Sequence, residues 1–559
     1  MDVPVVKTKL ARLLSLIGID NVELLRDALF NLKCESEING EEISIEVQSD
    51  RVDMFSVEGI AYAVRLYLGM TSPSIIEIEN IGFRVYVDIP LKRPYIAIAA
   101  VRNINLNEDL LKDLIEFQER LHITYGRNRR RVAIGLHDLD KLPANTIFYR
   151  DVDVDNTFMI PLHDYRRMSV RDVLRVTEQG MLYGSIAIND SKHPAILSGD
   201  EVISLPPVIN SDITRLEPST KSILIDVTGT DMKAVEVVLN SIIHALTIHS
   251  KSIMAAEILY PHQKLVTPNL AWRRISVDID FISTWLGLEK EYIYHKAGLA
   301  LSRTGYILSS ANKKHLEVLV PYYRADILHQ VDVVEDMAIG IGYNNIELEP
   351  VAPIEMKKRK AGRIISSILR EVLVGLGYTE TNTLTMVPSK FLELINVTDF
   401  IKIVNAPSTE MDALRNSLLQ SMLILLVNAQ HLPLPIKLFE IGDVILKCDG
   451  CYNRWINEQR AAWVIMDSEI KFEDIHADLY VVLRELMLDN VATIKRCFKP
   501  PFINGRCGCI ELNSTSIGVI GEVDPEVLLR IGIEYPVACA ELSIDQLSIA
   551  LKSRTRNSY

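Results

Sequence analysis

Apolar residues recur at helical spacing in several stretches of the chain. Val331, Val334, Ala338 and Ile341 form one stripe, and Val235, Val238, Leu239, Ile242, Ile243 and Leu246 form another. Residues 363–373 carry a third, amphipathic stripe. The short run Ile223-Leu224-Ile225 reads instead as a buried strand ending at Asp226. Residues 418–427 are almost wholly apolar, but Gln420 and Ser421 interrupt them, which predicts a buried helix and no membrane span. Helical and strand periods alternate throughout, so the expected class is α+β and multidomain. Turn-rich breaks fall at Thr71-Ser72-Pro73-Ser74, from Tyr260-Pro261-His262 to Thr267-Pro268-Asn269, and at Glu347-Leu348-Glu349-Pro350 with Pro353. They divide the chain into four regions spanning 1–75, 76–262, 263–350 and 351–559.

The first and third regions echo each other. The strand-like Ile45-Glu46-Val47 leads to Arg51-Val52-Asp53 and then to the helix start Glu58-Gly59-Ile60-Ala61. Later, Val318-Leu319-Val320 leads to Arg324-Ala325-Asp326 and then to Glu335-Asp336-Met337-Ala338. Strand, Arg-x-Asp turn and acidic helix start recur in that order. Two copies suggest a duplicated small module, not a solenoid.

Length and charge narrow the partners. At 559 residues the chain exceeds what one hydrophobic core supports. The start Met1-Asp2-Val3-Pro4 lacks a secretory pattern, and the expected location is cytoplasmic. A net charge of −13 leaves RNA contact to a local basic patch or to a partner. Two patches qualify by composition: Arg127-Asn128-Arg129-Arg130-Arg131 with Lys141, and Lys357-Lys358-Arg359-Lys360. For each, a solvated face or linker is the preferred reading over an RNA contact. Seven cysteines in a cytosolic chain predict reduced thiols. Cys448-Asp449-Gly450-Cys451 has zinc-knuckle spacing that Cys507-Gly508-Cys509 would have to complete, but Asp-Gly is itself a turn signal, and the turn is the preferred reading.

The densest chemistry lies in the third region. Asp332, Glu335 and Asp336 stand at i, i+3 and i+4, on one helix face, with Asp326 six residues earlier. Such carboxylates repel one another unless a cation compensates, and all-oxygen ligation suits Mg²⁺. An acidic first turn favoured by the helix dipole is the competing reading. The run Arg324-x-Asp326, then Asp332-x-x-Glu335-Asp336, then Gly342-Tyr343-Asn344-Asn345, resembles the signature of the phenylalanyl-tRNA synthetase β subunit, archaeal or eukaryotic type. The resemblance extends to residues 50–61, although Val52 stands where a proline is usual. It also covers Val404-Asn405-Ala406-Pro407, Lys437-Leu438-Phe439-Glu440-Ile441-Gly442-Asp443 and residues 517–528. It implies that Asp326, Asp332, Glu335 and Asp336 bind Mg²⁺ near an interface with an α subunit. It also implies an (αβ)₂ assembly that attaches phenylalanine to its tRNA, with ATP and phenylalanine bound through the α subunit. The third region becomes a small winged-helix-like module, and residues 363–373 become a helix packed on the α subunit, with plain core packing as the alternative.

The same resemblance makes the fourth region a class II synthetase-like antiparallel-sheet domain. Class II sites grip ATP with arginine, whose fork matches phosphate. The corresponding strand here, Leu438-Phe439-Glu440-Ile441-Gly442, has none, and no late Gly-rich segment ends in arginine. Charging chemistry is therefore expected in the partner. In the second region, Ile134-Gly135-Leu136-His137-Asp138, Leu205-Pro206-Pro207-Val208-Ile209-Asn210-Ser211 and Ile225-Asp226-Val227-Thr228-Gly229-Thr230-Asp231 resemble landmarks of the family's editing domain, which hydrolyses tyrosine mischarged onto the phenylalanine tRNA. A pocket that rejects an added hydroxyl poorly needs such a second sieve. The candidate residues are Ser211, Asp226 and Thr228, with Asp231 and Leu205 behind them. Asp231 is also placed to cap the following helix, Ser211 to brace a turn, and His137 to hydrogen-bond in the core. Between Tyr165 and Ser198 the landmarks blur, which leaves a rival reading as a non-catalytic scaffold or RNA-binding paralogue with a dead editing site.

Overall fold

The computed structural model describes residues 3–348, 350, 360–512 and 514–556. Lys357, Lys358 and Arg359 of the second basic patch, and Pro353, lie outside the described residues. The chain divides into two compact units, residues 1–350 and 351–559.

The first unit contains the duplicated module in full. Its first copy runs strand Val5–Lys9, helices Leu10–Ile17 and Val22–Asn31, strands Glu35–Asn39 and Glu42–Glu46, then helix Val57–Tyr67. The later copy runs strand Arg273–Asp278, helices Ile279–Leu286 and Lys290–Arg303, strands Ile307–Ala311 and His315–Val320, then helix Gln330–Ile341. Each folds its three strands in the order first, third, second. In both, the Arg-x-Asp turn closes on itself as a fork. Arg51 reaches Asp53 at 3.0 and 2.8 Å, and Arg324 reaches Asp326 at 2.9 and 2.6 Å. Burial pushes the Asp53 carboxyl up, but the Arg51 charge and hydrogen bonds bring it below its ordinary value.

Between the copies lies a ten-stranded sheet whose main path runs Ile209–Asn210, Glu201–Leu205, Lys192–Ser198, Thr146–Asp153, Asn80–Asp88, Ser252–Tyr260, Tyr95–Arg102, Ile223–Gly229, Val132–Asp138. Helix Glu108–Ile123 buries Leu110, Leu114, Phe117 and Leu121 on one side, and helix Met232–Leu246 joins the same core. The Tyr260-Pro261-His262 break is a hairpin within this sheet, because strand Gln263–Thr267 returns to pair with Ser252–Tyr260. The expected strand end at Asp226 also moves. The strand continues to Gly229, since Val227, Thr228 and Gly229 pair on both sides, with Tyr95-Ile96-Ala97 and with Val132-Ala133-Ile134.

The second unit is built on a seven-stranded sheet, antiparallel except for its short first strand. Strand Trp455–Met466 shows why both faces are covered. Ala461, Trp463 and Ile465 face helices Ala361–Gly375 and Phe472–Glu485, while Ala462, Val464 and Met466 face helix Leu418–Ala429. The stripe in residues 363–373 thus packs inward through Ile365, Leu369 and Leu373. Among the described residues no helix is long and apolar enough to cross a membrane.

Candidate functional site

A cavity of ≈ 590 Å³ opens in the first unit beside strand Val132–Asp138. Leu111, Ile115, Ile134, Leu136 and Leu182 give it apolar walls, and Ser204, Asn210, Ser211, Thr214 and Asp226 give it polar groups. Asp226 is 1% exposed, in the middle of its strand, opposite Gly135. A Cβ at position 135 would sit 1.9 Å from Asp226 Oδ2, so only glycine leaves room for this carboxylate. Asp226 Oδ2 lies 2.8 Å from His137 Nε2, and His137 Nδ1 lies 2.7 Å from Thr214 Oγ1. Ser211 is fully buried; its hydroxyl donates to the carbonyl of Ile160 at 2.9 Å and its N–H to that of Ile203.

The other candidates lie elsewhere. Thr228 shares a strand face with Asp226 but is not on the cavity wall. Its carbonyl accepts from Arg93 Nη2 at 2.7 Å, and Arg93, fully buried, also donates to the carbonyl of Arg129. Burial lowers the Arg93 pKa to about 10. Leu205 is a core residue, and Asp231 caps helix Met232–Leu246 while pairing with Arg131 at 2.7 Å.

The first basic patch is taken apart by its backbone. Arg127, Asn128 and Arg129 all have positive φ, and the curl draws Arg129 into the cavity wall. There it pairs with Glu119 at 2.6 Å, donates to the carbonyl of Val208, and lies 4.4 Å over the Tyr183 ring. Arg127 and Arg130 are not drawn in with it. Burial raises the Glu119 carboxyl, but His122 and Arg129 outweigh it and bring it to about 2, so the cavity rim carries a fixed carboxylate.

The acidic cluster departs from the expectation of four converging ligands. Arg324 holds two of the carboxylates, reaching both Asp326 and Asp336 at 2.6 Å. Tyr306 donates to Asp336 at 2.5 Å. Asp332 accepts from the N–H groups of Leu328 and His329 at 2.7 and 2.8 Å, as the N3 member of a capping box. Glu335 is half-exposed and pairs with Lys33. Among the described residues no three His, Cys, Asp or Glu side chains are gathered so as to hold a metal ion. The donor chemistry suits Mg²⁺, but the oxygens of Asp326, Asp332, Glu335 and Asp336 as arranged do not fit it, because Arg324 and Tyr306, backbone N–H groups and Lys33 each take a different part of the set instead of one shared ion. Asp332→Ala is accordingly expected to cost about 1 kcal/mol of stability through the lost cap, with and without Mg²⁺. A loss seen in denaturant titration only when Mg²⁺ is present would return the ion to the cluster.

Comparison with known proteins decides the family. Residues 347–544 match the phenylalanyl tRNA synthetase beta chain CLM domain, and residues 275–343 match the tRNA synthetase B5 domain. The phenylalanine–tRNA ligase beta subunit of Sulfurisphaera tokodaii is 38% identical over 549 residues, spanning 96% of this chain and 98% of the relative. That of Saccharolobus solfataricus is 35% identical over 551 residues, 97% of this chain and 98% of the relative. The chain belongs to the phenylalanine–tRNA ligase β-subunit family. A crystal structure of an N-terminal fragment of the phenylalanyl-tRNA synthetase beta subunit from Pyrococcus horikoshii superimposes with a TM-score of 0.57 at 29% identity, covering 61% of this chain and all of the fragment.

For a member of this family the second unit is notable for where its arginines point. Arg415 is tied to Glu440 at 2.9 Å and Arg460 to Glu541 at 2.7 Å, with all but Arg460 nearly inaccessible. Ser417 and the N–H of Leu418 complete the Glu541 site. Arginines neutralised in this way are not available to phosphate. The Cys448-Asp449-Gly450-Cys451 segment forms the turn between strands Ile436–Lys447 and Trp455–Met466. The expectation of reduced thiols is corrected here: Cys448 is bonded to Cys451, and Cys497 to Cys509. Cys448 and Cys451 lie in that turn, whereas Cys497 follows strand Ala492–Arg496 and Cys509 lies on strand Phe502–Leu512, and no shared zinc site forms among the described residues.

Proposed function

We propose that this chain is the β subunit of phenylalanine–tRNA ligase, acting with an α subunit in an (αβ)₂ assembly, and that its cavity hydrolyses tyrosine mischarged onto the phenylalanine tRNA. One observation carries the second half: the buried Asp226–His137–Thr214 array, with Asp226 and Thr214 at the wall of a pocket that also presents leucine and isoleucine side chains. The volume lies within the range of small-ligand sites, about 300–1,000 Å³. Apolar walls accept an aromatic ring, and a buried acceptor rewards a ring that carries a hydroxyl. The ATP-dependent step is assigned to the α subunit, because Arg415 and Arg460 of the second unit are internally paired and strand Ile436–Lys447 carries no arginine. No step is assigned to Mg²⁺ at the acidic cluster.

Co-purification with the α chain, followed by phenylalanine charging and tyrosyl-tRNA hydrolysis on one sample, tests this reading. Charging is expected only with both chains. Asp226→Ala is expected to lower hydrolysis by about 10²-fold or more, and Ser211→Ala by less, since its hydroxyl is spent on Ile160. Charging without hydrolysis in the unaltered complex would make the cavity a relic and favour the scaffold reading for residues 76–262.

A further inference from the structure

His137 has no exposed surface, and both its ring nitrogens are engaged, Nε2 with Asp226 and Nδ1 with Thr214. An ionised carboxylate only accepts, so Nε2 carries the proton. Nδ1 of the neutral ring is then an acceptor, and the Thr214 hydroxyl must donate to it. That tautomer leaves the Thr214 oxygen with free lone pairs. Thr214 and Asp226 line the cavity, whereas His137 lies behind them and does not. The order of roles is that of a hydroxyl–imidazole–carboxylate triad with the two ring nitrogens exchanged. Gly135 belongs to the same device, since a Cβ there would also come within 2.9 Å of His137 Nε2.

Building on the hydrolytic reading above, we propose that Thr214 is the proton acceptor for the hydrolytic water and that His137 is the positioning residue that stores the proton. As the water oxygen bonds to the ester carbonyl carbon, a water proton passes to Thr214 Oγ1 and the threonine's own proton moves to His137 Nδ1. Asp226 stabilises the imidazolium. When the tetrahedral species collapses, the bond from carbon to the ribose oxygen breaks. The stored proton returns through Thr214 to that oxygen, giving free tyrosine and an intact tRNA terminus. No other reactant is required. Ser211 is excluded from this role because its hydroxyl proton is committed to the carbonyl of Ile160.

The test compares Thr214→Val, Thr214→Ser and His137→Gln in the assembled complex, with tyrosyl-tRNA as substrate and phenylalanine charging as the folding control. Thr214→Val is expected to lower kcat for hydrolysis by about 10²–10³-fold with KM changed less than about twofold, as for loss of a general base. Thr214→Ser, which keeps the hydroxyl, is expected to restore kcat to within about tenfold of the parent, and His137→Gln to behave like Thr214→Val. Hydrolysis by Thr214→Val at the parent rate, or an equal loss in Thr214→Ser and Thr214→Val, overturns the relay while leaving the hydrolytic reading standing. An unaltered complex that charges but never hydrolyses overturns both.

Discussion

Arg324→Met is expected to cost about 3–5 kcal/mol of the first unit's stability, the usual penalty for removing one partner of a buried ion pair. The reason lies in what would remain. Arg324, 2% exposed, faces two carboxylates that are 9% and 7% exposed, and it is the cation within reach of both. Methionine fills the volume but leaves Asp326 and Asp336 facing each other without compensation. Tyr306 then has to satisfy Asp336 alone. Arg324→Lys is expected to recover only a fraction of the loss, because a single ammonium cannot fork to Asp326 and still reach Asp336. Lys33→Ala provides the contrast. Its pairing with Glu335 is 38% and 53% exposed, and removing it is expected to change stability by less than about 0.5 kcal/mol. Denaturant unfolding of the three variants checks the ranking; equal effects for Arg324→Met and Lys33→Ala would contradict it.

The acidic cluster also shows what sequence spacing conveys. Positions i, i+3 and i+4 put Asp332, Glu335 and Asp336 on one face of a helix, and that helix exists as Gln330–Ile341. Spacing is silent on whether the compensating cation is a metal ion or an arginine a few residues upstream. Arg324 is visible within the motif itself, but its partners depend on how the turn folds back. The duplicated module is legible for the opposite reason: strand, Arg-x-Asp turn and helix are local, and local order survives into topology. Asp226 and Ser211 are legible as cavity residues from the motifs around them. Thr228 shares the strand face of Asp226, but Arg93, remote in sequence, claims it instead. Long-range pairings of this kind, like the Cys497–Cys509 bond across neighbouring strands, are set by tertiary packing and leave no periodic trace.

Gly135→Ala is expected to abolish most tyrosyl-tRNA hydrolysis without touching any residue that bears a functional group. The added methyl would lie 1.9 Å from Asp226 Oδ2 and 2.8 Å from its carboxyl carbon, so the carboxylate has to leave its place beside His137. The backbone has little freedom to yield. Strand Ile223–Gly229 is paired along its whole length with Tyr95–Arg102 on one side and Val132–Asp138 on the other. Overpacking of this kind costs about 1–3 kcal/mol, which a domain of this size tolerates, so charging by the assembled complex is expected to persist. Hydrolysis is expected to fall by about 10²-fold or more, the contribution of a positioned acid–base group. A double-mutant cycle makes the cause specific. If the glycine acts only through the carboxylate, Gly135→Ala added to Asp226→Ala lowers hydrolysis no further than Asp226→Ala alone, because the clash with the carboxylate and the group it displaces have both been removed and only the 2.9 Å approach to His137 Nε2 remains. Additive losses would place the effect of Gly135 elsewhere in the cavity wall, and parent-like hydrolysis by Gly135→Ala would detach Asp226 from the chemistry.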